Sequence, residues 1–200
     1  SSFILTAFNM IFASTISKLY HEKRMSDLGE IYKVITKWIF SINLLFLVII
    51  FIFNNEIMNL FGEEFIYGSM ALLLIAIGQL VNAGVGSAGY INIMTGHPYY
   101  EFYVNIITVI INITLNLTLI PIYGIEGAAF ASLCSVTISN LIRLILVYKN
   151  LKIHPYSKIY FKITTGLLII GGFVYFINSM IIHFNWLFRL IILSNLLTLV

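Results

Sequence analysis

Charge is what this sequence has least of. Only 10% of its 200 residues are Asp, Glu, Lys or Arg, against 60% hydrophobic, whereas soluble domains carry roughly 25% charged residues. With a mean hydropathy of +0.99, a soluble globule is excluded. There is one cysteine, Cys134, which rules out an intrachain disulfide and, inside an apolar run, reads as a small packing residue. No Asp or Glu lies near the middle of an apolar run, and His21, His97, His154 and His183 all fall in connections. A buried proton or ion relay therefore has no visible residue. Metal-ligand spacing, a nucleophile elbow and a phosphate loop are also lacking. An enzyme reading has nothing to stand on, no cofactor is expected, and the formal charge of +3 suggests no nucleic-acid partner.

What the chain does have is long apolar runs. Hydrocarbon offers no water to a backbone polar group, so such runs must close their own hydrogen bonds as helices. The fold class is an all-α, polytopic transmembrane bundle of about seven segments: Phe3 to Ser17, Val34 to Phe53, Phe65 to Met94, Phe102 to Ile120, Ile125 to Tyr148, Ile159 to Asn178, and a last one starting at Trp186. Pro98, Pro121 and Pro155 all lie between segments. Pro121 is expected to end the fourth segment at Ile120, with Gly124 relaxing the turn before the fifth. The third run is too long for one straight span and carries Gly78, Gly84, Gly86 and Gly89, which predicts a tilted or broken helix. Before the second run, Asp27 with Glu30 three residues on predicts a capping box opening a short amphipathic connector. The final run from Trp186 to Val200 would span only about 22 Å and the chain opens without an initiator methionine, so a fragment cut at both ends is expected, with 183–200 as the start of a truncated helix.

Charge placement tests this parse. Lys18, Lys23, Arg24, Lys33, Lys37, Arg143, Lys149, Lys152, Lys158 and Lys162 hold or flank alternate connections, leaving only Arg189, with Glu56, Glu63, Glu64 and Glu126, on the other side. The positive-inside rule then makes the connections near 18–33, 95–101 and 149–158 cytoplasmic. Interfacial aromatics such as Trp38, Tyr67, Tyr148 and Trp186 gather at segment ends, as membrane-interface residues do.

The sharpest polar signal is in the fourth segment. At about 100° per residue, Asn105, Asn112 and Asn116 fall within roughly 20° of one direction, with Thr108 about 60° away. Four polar groups on one face must turn toward other helices or a wet cavity. Interhelical hydrogen bonding and a cavity wall touching a sugar or pyrophosphate are both open. Gln79 and Asn82 form a smaller patch of the same kind. Gly127, Ala131, Ser135 and Ser139 repeat small residues every fourth position, which permits close helix approach. Arg143 either snorkels to the inner interface or attracts an anionic head group. The sequons at Asn112 and Asn116 lie inside predicted spans and are discounted.

Taken together, SKLYHEKRMSDLGEIYK, NLFGEEF, GQLVNAGVGSAGYINIMTGHP and NLTLIPIYGIEGAAFAS closely resemble the C-terminal half of bacterial polysaccharide flippases. These are the O-antigen, capsule and teichuronic-acid exporters of the multidrug/oligosaccharidyl-lipid/polysaccharide superfamily. The likeness covers roughly residues 10 to 160. It implies a two-lobed bundle in the bacterial inner membrane, working by alternating access. A polyprenyl-diphosphate-linked oligosaccharide would be flipped from the cytoplasmic to the outer leaflet. The partners implied are that lipid-linked substrate, membrane lipids and an N-terminal lobe. The cavity candidates are Gln79, Asn82, Asn105, Asn112, Asn116 and Arg143. The alternatives are a small-molecule antiporter of the same superfamily and a polytopic envelope enzyme or scaffold.

Overall fold

A backbone with so few polar side chains to lean on forms helices wherever it is continuous. The computed structural model describes residues 2–180, and within them every regular element is helical: α1 (Ser2–His21), α2 (Met25–Asn59), a 3₁₀ segment (Glu63–Gly68), α3 (Ser69–Val85), α4 (Ala88–Met94), α5 (Pro98–Leu151) and α6 (Lys158–Met180). Four stretches are long and apolar enough to cross a membrane: Met25–Asn59, Glu63–Val85, Pro98–Leu151 and Lys158–Phe176. The expected seventh segment from Trp186, His183 and the cation Arg189 lie outside the described residues.

The connector before the second run is continuous with it, as expected. It is the first turns of α2, which begins at Met25 with Arg24 at its N-cap and no side-chain cap bond. The expected capping box is absent, and both acids have basic neighbours three residues away. Arg24 Nε donates to Asp27 Oδ2 at 2.6 Å and Lys33 Nζ to Glu30 Oε1 at 2.7 Å. The helix begins at Met25, which puts Asp27 inside its first turn and not at the N-cap, where a carboxylate accepts from the first free N–H groups. The Asp27 bond also holds the Arg24 guanidinium above its ordinary pKa. Near the other end α2 bends at Phe53 (φ −116°, ψ 21°), where Ile52 and Phe53 pack on Val174 of α6.

The core forms where α1, α2, α4, the end of α5 and the following loop converge. Ile16, Leu28, Tyr32, Ile91, Val147 and Ile153 meet there, all buried. The turns around Lys23, Gly96 and Lys152 therefore share one end of the bundle, and the 3₁₀ segment with Glu63 and Glu64 follows the far end of α2. The third apolar run is broken, as expected, at Gly86 (φ 64°, ψ −134°), a conformation close to the mirror image of extended backbone that only glycine adopts without strain.

The longest element needs a physical explanation. A straight helix of 54 residues would be about 80 Å long, far beyond the ~30 Å hydrocarbon core. It folds back on itself at Gly124 (φ 55°, ψ −131°). Cross-contacts converge on that point: Glu101 with Arg143, Asn112 with Ser135, and the Leu119 carbonyl against Gly127. The element is a helical hairpin with arms 98–123 and 125–151. Helix does not stop at Ile120, as expected from Pro121, but runs through the proline to Tyr123. Proline forfeits only one N–H, and membrane helices tolerate that loss where the surroundings adjust. The break needs positive φ, which Gly124 supplies and a proline locked near −65° does not.

Candidate functional site

The hairpin arms press together along a small-residue face. Gly127, Ala131, Ser135 and Ser139 are all buried, and a Cβ on Gly127 would strike the backbone carbonyl of Leu119. That proximity brings the Asn-bearing face of the first arm onto the second. Asn112 Nδ2 donates to Ser135 Oγ at 3.1 Å, and Asn116 Nδ2 donates to Asn112 Oδ1 at 2.9 Å. Ser135 Oγ in turn donates to the Ser132 carbonyl at 3.0 Å. Thr108 turns its hydroxyl to the Val104 carbonyl at 2.7 Å. The stripe is thus a seam between the arms, crossed here by the Asn112–Ser135 bond, of a kind worth about 0.6 kcal/mol in membranes, while the other three bonds stay within one arm.

Toward the cation-bearing end the seam becomes charged. Arg143 Nε meets Glu101 Oε2 at 2.8 Å, with side-chain exposures of 19% and 10% respectively. The other guanidinium nitrogens reach Asn105 Oδ1 at 2.9 Å and Ser139 Oγ at 3.3 Å. Glu101 Oε1 accepts from Asn92 Nδ2 of α4 at 3.3 Å. The carboxylate fits because residue 89 has no side chain: a Cβ there would lie 3.1 Å from Glu101 Oε2. Two charges so sheltered are tolerated only when each is paired and hydrogen-bonded, and both are.

Glu101, Asn92 and Asn140 were missed by the sequence reading, which placed Glu101 in the loop TGHPYYE. The signal was present: Glu101 lies one helical turn before Asn105, about 40° round the helix, and so begins the same stripe. It was hidden because α5 starts at Pro98 rather than Phe102. Asn140 Nδ2 donates to Asn82 Oδ1 at 3.2 Å, tying the second hairpin arm to α3. Gln79, half-buried on α3 and also engaged, completes the six sequence candidates. Five of them (Asn82, Asn105, Asn112, Asn116 and Arg143) are thus drawn into hydrogen bonds or an ion pair.

Open space lies elsewhere. A groove of about 460 Å³ is lined by Met70, Leu74, Leu119, Tyr123, Glu126 and Phe130 beside the hairpin tip. A second of about 330 Å³ lies near Leu144, Tyr148 and Tyr156 at the opposite end. Neither takes in any of the six candidates. Among the described residues, no three His, Cys, Asp or Glu side chains come together. What the arrangement can do chemically is exchange hydrogen bonds: a row of amides and hydroxyls, ending in a guanidinium paired with a carboxylate, offers donors and acceptors that match a hydroxyl-rich ligand. Comparison with family models, curated proteins and solved structures finds no match to this chain.

Proposed function

We propose that this chain is one lobe of a transporter that carries a polyprenyl-diphosphate-linked oligosaccharide from the cytoplasmic to the outer leaflet of a bacterial inner membrane. The observation that carries the proposal is the polar seam from Glu101 to Asn116, running along most of the first arm of a hairpin whose other exposed surface is mostly apolar. Each seam bond is weak enough for a sugar hydroxyl to replace when the arms or a facing lobe part. The exposed Asn105 and half-buried Arg143 would meet the diphosphate first. On this reading the two arms of α5 count as separate crossings, which makes five of the four long apolar stretches; α1 and the apolar run from Trp186 in the sequence bring the expected total to seven, and the cation-bearing end faces the cytoplasm. The resemblance of the LIPIYGIEGAA turn and its flanking segments to polysaccharide exporters supports the same assignment.

The test is a flipping assay. Full-length protein is reconstituted into vesicles whose inner leaflet holds a fluorescent polyprenyl-diphosphate oligosaccharide, and a lectin outside reports its arrival. Time-dependent exposure that falls several-fold with Asn112→Leu/Asn116→Leu is expected. No exposure above protein-free vesicles would sink the proposal.

Glu101 favours a second reading, a cation-coupled exporter of small molecules, because a sheltered acid is what such coupling uses. Efflux of a small cationic dye that depends on Glu101, with no movement of the lipid-linked glycan, would install it instead.

A further inference from the structure

Glu126 stands two residues past the break at Gly124 and is exposed. Its carboxylate makes no ion pair or hydrogen bond with any described residue. An acid in the first turn of a helix is favourable in any case, but that does not account for its neighbours. Glu126 lines the groove of about 460 Å³ beside the hairpin tip, whose other walls are almost all apolar.

Three helices build that groove, and each contributes two residues spaced four apart, hence on one face. They are Met70 and Leu74 of α3, Leu119 and Tyr123 of the first hairpin arm, and Glu126 and Phe130 of the second. Four residues rise about 6 Å along a helix. Met70, Tyr123 and Glu126 are the members nearer the tip, so they form the rim, and Leu74, Leu119 and Phe130 lie about one turn deeper. The rim thus carries a phenol and a carboxylate, while the depth offers only hydrocarbon. Gly127 keeps the floor low, because the two arms touch where its side chain would be. A groove that follows the helix axes, polar at the membrane surface and apolar below it, has the polarity profile of one lipid standing in a leaflet.

We propose that this groove binds a phospholipid with a primary-amine headgroup, of the phosphatidylethanolamine class, drawn from the leaflet that meets the hairpin tip. One acyl chain lies against Leu74, Leu119 and Phe130, and the ammonium sits on the Glu126 carboxylate. Charge around the rim selects the headgroup. That end of the bundle carries Glu56, Glu63, Glu64 and Glu126 and, among the described residues, no Lys or Arg, so lipids of net negative charge are repelled and an ammonium is attracted. A primary ammonium brings three N–H donors and pairs with a carboxylate through charge-assisted hydrogen bonds. A choline headgroup has the same charge and no N–H. Tyr123 is placed at headgroup level, where amphipathic aromatics gather. The site lies apart from the polar seam and does not depend on the glycan proposal, because lipid occupancy is read on the protein alone.

The experiment reconstitutes the full-length protein into phosphatidylcholine nanodiscs. Each holds a trace of one photoactivatable lipid with a diazirine on its acyl chain and an ethanolamine, choline or glycerol headgroup. After irradiation, labelled peptides are mapped by mass spectrometry. The ethanolamine lipid is expected to label the peptides holding Leu74, Leu119 and Phe130 several-fold more than the other two. Glu126→Gln, at an exposed position, should keep its fold and Tm while ethanolamine labelling falls to the choline level. Leu74→Trp, which fills the groove, should reduce labelling by all three lipids. Equal labelling by the three headgroups in the parent protein would mean ordinary surrounding lipid and overturn the site. So would an ethanolamine preference that survives Glu126→Gln, or no label on these peptides because another part of the protein covers the groove.

Discussion

The chain breaks its helices twice in nearly the same way, with opposite results. Gly86 has φ 64° and ψ −134°, and Gly124 has φ 55° and ψ −131°. At Gly124 there is nothing within 4 Å of where a Cβ would stand, and the chain reverses into a hairpin. At Gly86 a Cβ would collide with Thr36, and the chain only steps aside into the seven residues of α4. The same backbone conformation is therefore a turn where the surroundings are open and an offset where they are closed. A local glycine licenses a break; what packs on either side decides its consequence.

The contrast is tested most strongly by Gly86→Ala. Strain from positive φ and collision with a buried side chain add, each about 1–3 kcal/mol, so a loss of about 2–6 kcal/mol is expected, read as a fall in folded protein and Tm in detergent. If the hairpin depends on its cross-links more than on its tip, Glu101→Gln is the next largest effect. It leaves Arg143 with a neutral partner in a sheltered position, a loss of about 2–3 kcal/mol. A Tm unchanged by that substitution would show that the ion pair does not hold the arms in register. Gly124→Ala should cost only the conformational strain, about 1–2 kcal/mol; a loss equal to that of Gly86→Ala would erase the distinction between the two breaks. Smallest is Asn112→Leu, which removes two hydrogen bonds, to Ser135 and from Asn116, at about 0.6 kcal/mol each. Its stability effect should be about 1 kcal/mol while transport falls. A large Tm loss would assign the seam to structure alone.

Much of this was legible beforehand because membrane helices write their signature in composition. The apolar runs, the turn near residue 124, the fracture in the third run, the buried small-residue face from Gly127 to Ser139 and the Asn stripe all follow from periodicity and from the behaviour of glycine. Three things were not. The helix passes through Pro121, since one missing N–H does not compel a stop. Asp27 and Glu30 pair with Arg24 and Lys33, since the helix begins at Met25, before Asp27 can cap it. Glu101 reads as a loop acid because helix starts are set by tertiary contacts that local propensity does not see; only the niche over Gly89 and the reach of Arg143 make it part of the core.

By itself the sequence determined that this chain is helical, that several of its stretches are long and apolar enough to cross a membrane, and which face of the hairpin is polar, because those follow from runs of apolar residues and from a fixed 3.6-residue period. Which polar groups meet was decided only by the tertiary structure. Pairing Glu101 with Arg143 and Asn82 with Asn140 depends on how closely separate helices approach, and that distance is a property of the packed whole.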